Sequence, residues 1–327
     1  MMRPPVILMI ELSIGISLLC LAANAQDTLR VDVRLVTVVA TVTDDTGSYV
    51  AGLTSDDFVI EDNGVSEEIV YFTQDQDIPL SLGILLDTSA SMARRMRTAL
   101  GAIDRFIRTL HADDDVFLAT FSNRARLVED LTNDRDRLSD ALNDIREMGG
   151  TALYDGLAMG LEKVQEGRHD KRAILLLTDG ADVRSTLELD EIVDQLERSE
   201  VLVYGLGIEP VQSDASQHVA FNWPIAPIPG ATNLGRMGRV LDRPVDMDVL
   251  RRFATSSGGE AYLVSGTWTD GTVEDVDRIL DEVAAELRSQ YTLAYYPSNS
   301  DNRFHDINVR VANPEYTVRT RVGYRGR

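Results

Sequence analysis

The sequence predicts an α/β fold, a doubly wound and mostly parallel sheet with flanking β-sandwich-like segments. Three observations predict it. Apolar runs alternate with helically spaced segments from Leu80 onward: Leu80 to Leu86, Val116 to Phe121, Ala173 to Leu177, Val201 to Leu206 and Glu260 to Val264. Buried parallel strands have this continuous apolar character, and short connections between alternating strands and helices wrap helices over both faces of a sheet. Period-two alternation, the mark of half-buried strands, is concentrated at the two ends of the chain instead. Finally, two of the apolar runs end in a carboxylate and a turn, at Asp87 and at Asp179.

Bulk properties narrow the function. The chain has 327 residues, 44% hydrophobic and 26% charged, which is a globular composition. Its net charge of -21 disfavours nucleic acid, where affinity comes largely from neutralising phosphates, and adsorption to anionic lipid, but tolerates a divalent cation. Residues 1–25 read as an export signal. One Arg precedes the apolar segment Val6 to Leu21, and Ala23-Asn24-Ala25 offers a small-residue cleavage site. The rival is an uncleaved anchor, against which Glu11 and the small residues argue. Cys20, the single cysteine, lies inside this signal, and Leu19 before it is too bulky for a good lipidation site. The expected product is exported, periplasmic or at the cell surface, without disulfides and with no membrane insertion after cleavage.

In chain order, residues 26–77 read as β-rich. Val31, Val33 and Leu35 alternate in one phase and Val36, Val38, Ala40 and Val42 in the other, a slip that suggests a bulge or a change of sheet. Asp44-Asp45-Thr46-Gly47 and Asp62-Asn63-Gly64 are turn signals beside strands expected at Phe58 to Glu61 and Glu68 to Thr73. Asp77-Ile78-Pro79 opens the α/β domain, residues 78–290. Its expected helices carry Met92 through Leu110, Leu138 to Ile145, Leu153 to Leu161, Leu187 to Leu196, and Gly271 to Ser289. The loop Glu209 to Arg243 is long and proline-rich, and exposes Phe221, Trp223 and Ile225 as a candidate interface. Residues 291–327 return to alternation, with strands expected at Tyr291 to Tyr296, Phe304 to Val311 and Tyr316 to Tyr324. Neither flank can bury a robust core alone, so the two are expected to share one sandwich of about six or seven strands.

Chemistry concentrates at Asp87-Thr88-Ser89-Ala90-Ser91. A strand delivers a carboxylate and two hydroxyls into a tight turn, and ligands of open α/β sheets sit at the carboxyl ends of strands. Hard oxygens from one turn suit Mg²⁺, Mn²⁺ or Ca²⁺. Gly149-Gly150-Thr151 sets a hydroxyl at a loop-to-helix junction, and Thr178-Asp179-Gly180 ends a second buried strand. Singly each has a plain explanation: Ser91 and Thr151 as helix caps, Asp179-Gly180 as a turn. In this order they resemble the von Willebrand factor A family and its metal-ion-dependent adhesion site, with Asp87, Ser89, Ser91, Thr151 and Asp179 on the family's five positions. The amino-terminal strands likewise resemble the immunoglobulin-like leader of bacterial A-domain-related proteins.

The resemblance implies a non-enzymatic binding protein holding a divalent cation, Mg²⁺ first and Mn²⁺ or Ca²⁺ next. Ser89, Ser91 and Thr151 would ligate directly and Asp179 through water. A protein partner's Asp or Glu would complete the shell. The final helix, which shifts in that family when the site is engaged, would lead into the sandwich. The alternatives are a scaffold whose metal serves folding only and a metal-dependent hydrolase. A dehalogenase-like phosphatase would need Asp-x-Asp, and Ser89 stands at its second position. His111, His169, His218 and His305 are scattered and read as surface or loop residues, and His111 to Asp115 as an acidic turn rather than a calcium loop.

Overall fold

Strand β5 (Ser81–Asp87) is buried at every position and lies inside a six-stranded sheet. The computed structural model describes residues 35–74, 78–146, 149–209, 245–264, 274–299 and 301–326, all within the unit Leu35–Arg327. Beside β5 run β6 (Asp115–Phe121) and β7 (Ala125–Thr132) on one side, and β8 (Arg172–Thr178), β9 (Val201–Ile208) and β10 (Ala261–Val264) on the other. All pairs are parallel except β6–β7. The chain thus moves outward from β5 to β6 and β7, crosses back to β8, and continues the other way. The topological switch lies between β5 and β8, where open α/β sheets leave a crevice for ligands. Gly83 lets β5 lie against β6, because a Cβ there would stand 2.5 Å from the Phe117 ring.

Helices cover both faces. Helices α1 (Met96–Thr109), α2 (Arg135–Leu142) and α6 (Glu274–Leu287) bury Ile103, Leu138 and Ile279 against one, with Leu82, Leu86 and Leu175. Helices α3 (Leu153–Val164), α4 (Leu189–Arg198) and α5 (Met247–Ser257) bury Leu157, Ile192 and Phe253 against the other, with Leu85 and Leu176. The helix expected from Met92 begins later, since Ala90–Arg94 is a tighter 3₁₀ turn. Two elements of the helix-covered sheet lie outside the sequence expectation, β7 and α5.

The flanking strands form two four-stranded sheets. One orders β13 (Thr317–Arg319), β1 (Val36–Thr43), β11 (Tyr291–Tyr295) and β4 (Ile69–Gln74). The other orders β14 (Gly323–Arg325), β12 (Phe304–Val311), β2 (Phe58–Asp62) and β3 (Val65–Glu67). Each sheet draws strands from both ends of the sequence, with Val36 opposite Tyr295 and Ile60 opposite Val309. Val38, Ile60, Leu293 and Ile307 meet between them. The expected six or seven strands are eight, because β3 is an extra strand between β2 and β4 in sequence and Tyr316 to Tyr324 is two short strands rather than one. The chain changes sheet between them at Arg321, whose buried guanidinium donates to the Thr37 carbonyl at 2.7 Å and the Ser199 carbonyl at 3.2 Å.

A polar knot joins sandwich and sheet. Glu286 of α6 is 1% exposed and accepts from Tyr204 Oη of β9 (2.7 Å), Thr41 Oγ1 of β1 (3.2 Å) and Arg319 Nη2 of β13 (2.5 Å). His305 is fully buried in β12, not on the surface or in a loop. Its Nδ1 lies 2.9 Å from Asp62 Oδ1, and Tyr295 and Tyr324 donate to the other oxygen of that carboxylate. The turn from His111 to Asp115 is structural: Asp114 accepts from Leu80 N at 2.9 Å and His111 N at 2.8 Å and pairs with Arg288. Residues 1–25 and, beyond Glu209, the expected loop to Arg243 lie outside the described residues. Among the described residues no helix is long and apolar enough to cross a membrane.

Candidate metal centre at the carboxyl edge of the sheet

The carboxyl ends of β5 and β8 place Asp87 and Asp179 on the two sides of the topological switch. Asp87 is fully buried, so its carboxylate must be satisfied locally. Oδ1 accepts from Ser89 N at 2.8 Å, which folds the next two residues into a turn, and Oδ2 accepts from Thr178 Oγ1 at 2.6 Å. Burial raises the Asp87 carboxyl to about 6, with the Thr178 and Ser89 bonds pulling against it. Burial likewise raises Asp179, opposed by the Ser91 hydroxyl and the Arg95 guanidinium. Both shifts come from burial, and Asp179 alone of the two has a cationic side chain paired with it.

The turn then aims its hydroxyls at Asp179. Ser89 Oγ lies 2.9 Å from Ser91 Oγ, and Ser91 Oγ donates to Asp179 Oδ1 at 2.7 Å. Adjacent oxygens around an octahedral ion with bonds of about 2.1 Å are themselves about 3 Å apart, so this spacing fits a small hard cation. The donor chemistry fits as well, being carboxylate and hydroxyl with no sulfur or imidazole. Among the described residues no group of three or more His, Cys, Asp or Glu side chains is placed to share a metal. The centre here has two carboxylates, and hydroxyls supply the remainder.

Thr151 arrives from the loop before α3, the second of the three loops that meet here, and is 5% exposed. A Cβ on Gly180 would stand 3.5 Å from its Oγ1, so the hydroxyl faces the loop after β8. Among the described residues no hydrogen bond joins it to the other four. Its carbonyl accepts from Val183 N at 3.0 Å and Arg184 N at 3.1 Å, which fixes that loop against the start of α3.

Several supports lie outside the sequence expectation. Thr178 is the hydroxyl that holds Asp87. Asn123 Oδ1 accepts from Gly150 N at 2.9 Å, and Gly149 has φ +80° with no room for a Cβ against the Asn123 side chain. The Gly149 carbonyl in turn accepts from Ala90 N at 3.1 Å, so the first and second loops are tied together. Asp182 caps α3 by accepting from Leu153 N at 2.7 Å. Arg95 pairs directly with Asp179 Oδ2 and donates to the Ser91 carbonyl at 3.3 Å. A cleft of about 1260 Å³ adjoins the centre, with Thr88, Ser122, Asn123, Arg124, Arg126 and Asp144 in its lining. His111, His169 and His305 have partners elsewhere, in Asp113, the Asp113 carbonyl and Asp62 respectively.

Comparison with known proteins agrees with this geometry at the level of the domain. Residues 82–181 match the von Willebrand factor type A domain family. An uncharacterized protein of Synechocystis sp. is 35% identical over 114 residues, 32% of this chain and 26% of that protein. An uncharacterized protein of Borreliella burgdorferi is 29% identical over 135 residues, 38% of this chain and 39% of that protein. The chain therefore spans about a quarter and about two fifths of these relatives. Among solved structures, an aerotolerance-related membrane protein from Bacteroides fragilis aligns with a TM-score of 0.49 at 19% identity, covering 64% of this chain and 98% of that one.

Proposed function

Taking residues 82–181 as a von Willebrand factor type A domain, we propose that the protein is a non-enzymatic interaction module. It binds a divalent cation, Mg²⁺ first, through Asp87, Ser89, Ser91, Thr151 and Asp179, and through that cation an acidic side chain of a protein partner. The observation that carries this reading is the continuous chain of oxygens from Ser89 through Ser91 to Asp179, beside buried Asp87 at the switch point. Neutral hydroxyls leave a bound cation short of negative charge, so it attracts a further carboxylate. They are also weak at generating a nucleophile from water, and among the described residues no imidazole stands beside the site to act as a base.

A cation held by these residues would supply Lewis acidity toward an incoming carboxylate. The protein's own residues do the rest. Asp87 anchors the turn, Thr178 and Ser89 orient its two oxygens, and Asn123 and Asp182 lock the second and third loops around it. The adjoining cleft gives a partner segment room beside the metal. With residues 1–25 read as an export signal, that partner is met in the periplasm or at the cell surface.

The experiment is capture of Asp- and Glu-bearing peptides by immobilised protein, with Mg²⁺ and with a chelator. Binding that requires the metal and disappears in Asp87→Ala supports the reading. Metal-independent binding, or turnover of a phosphate ester or peptide, overturns it.

A further inference from the structure

We propose that Arg95 sets how strongly this centre depends on its partner, by cancelling one of the two carboxylate charges that would otherwise satisfy the cation. This rests on the metal-binding reading above and adds to it a residue that the motif does not contain.

The argument begins with the position of Arg95. It is the residue between the 3₁₀ turn Ala90–Arg94 and α1, with buried Met92 and Met96 on either side, and it is 6% exposed. A guanidinium held there is costly unless it is well paired. Its pairing is partial: one nitrogen meets Asp179 Oδ2 and the Ser91 carbonyl, while Nε is buried without a partner. Packing alone does not account for such a residue, since an apolar side chain of the same volume would avoid the orphaned N–H. What the guanidinium does achieve is local charge balance.

The balance can be followed through each state. Asp87 and Asp179 contribute two negative charges and Arg95 one positive charge, so the fixed charge of the centre is -1. A divalent cation then leaves +1, and one partner carboxylate brings the whole to zero. Without Arg95 the fixed charge would be -2 and the cation alone would neutralise it, leaving the partner's acid with no net charge to meet. Arg95 therefore lowers the affinity for metal alone and raises the coupling between metal and carboxylate. One unit of charge in contact with a partly buried cluster corresponds to roughly tenfold or more in affinity.

The test is calorimetric titration of the full chain with Mn²⁺, alone and with a short Asp-containing peptide, for wild type, Arg95→Gln and Arg95→Met. Both variants should bind Mn²⁺ at least tenfold more tightly than wild type. Mn²⁺ should also raise their melting temperature more, because it relieves an Asp179 left without its cation. The peptide should tighten Mn²⁺ binding in wild type and do so much less in the variants. The wild-type arm stands even where a variant folds poorly: no effect of peptide on Mn²⁺ affinity there overturns the inference. Equal or weaker Mn²⁺ binding by folded variants also overturns it, and makes Arg95 a structural partner of Asp179. Absence of Mn²⁺ binding in every protein, wild type included, overturns the metal reading itself, an outcome distinct from the other two.

Discussion

Replacing Glu286 with alanine should loosen the joint between the helix-covered sheet and the sandwich. The Glu286 carboxylate is the common acceptor for Tyr204 of β9, Thr41 of β1 and Arg319 of β13, and Gln290 donates to it from 3.3 Å. Truncation removes the acceptor of the Tyr204 hydroxyl proton, leaving Gln290 Nε2 donating to that oxygen at 3.0 Å, and leaves Arg319 with Glu260 at 3.2 Å as its remaining ion pair. Breaking a buried pair from one side costs about 3–5 kcal/mol. Arg319 keeps 28% of its side chain exposed, which places this case at the low end, about 3 kcal/mol. For a chain of this size 1 kcal/mol shifts the melting temperature by roughly 2 °C, so Glu286→Ala should melt about 6 °C lower. Glu286→Gln keeps two hydrogen bonds and the volume, and should cost about 1–2 kcal/mol. Thermal unfolding followed by circular dichroism measures both, and a double-mutant cycle with Arg319→Met should return a coupling of about 1 kcal/mol or more. A shift under about 1 °C for Glu286→Ala, with an additive cycle, would refute the reasoning.

Three further outcomes follow from the packing. Gly83→Ala drives a methyl against the Phe117 ring in the centre of the sheet and should cost about 1–3 kcal/mol by urea denaturation. An unchanged midpoint would mean that β5 and β6 separate freely. Asp182→Ala removes the cap on α3 and the acceptor for Ser185 Oγ, and should cost about 1–2 kcal/mol in the same assay. Truncation after Ser289 removes β11, which lies between β1 and β4. Limited proteolysis should then cut within Val36 to Gln74, and full protection of that segment would contradict the shared sheet.

The sequence revealed most about elements whose burial is complete. Strands β5, β8 and β9 are covered on both faces, so nearly every position is apolar and the run is unmistakable. Edge strand β7 was not legible because Arg126, Glu129 and Asp130 interrupt its alternation and its pairing with β6 shifts register twice. Helix α5 was also missed, although Val249, Leu250 and Phe253 carry helical spacing. Its start signal, the N-cap Asp246 that accepts from Val249 N at 3.2 Å, stands directly after a long unpatterned stretch that hides it. His305 could have been found, for it shares the buried phase of β12 with Ile307 and Val309. Of the five candidate ligands that the strand-end motifs and the family resemblance point to, four come together by hydrogen bonds. Their supports are different in kind. Asn123 and Asp182 act through backbone N–H groups remote in sequence, which no local pattern encodes. Arg95 did leave a trace, as a charge at helical spacing between Met92 and Ala99, just before α1.

Titration of Mg²⁺ or Mn²⁺ into wild type and Asp87→Ala by isothermal calorimetry tests the central claim most directly. Asp87 is the buried carboxylate that begins the first turn, and its removal takes away a charged ligand together with the acceptor that shapes the turn through Ser89 N. One cation per chain should bind wild type, and binding to a variant with unchanged circular dichroism should be lost. Equal affinity in the two proteins would contradict the account.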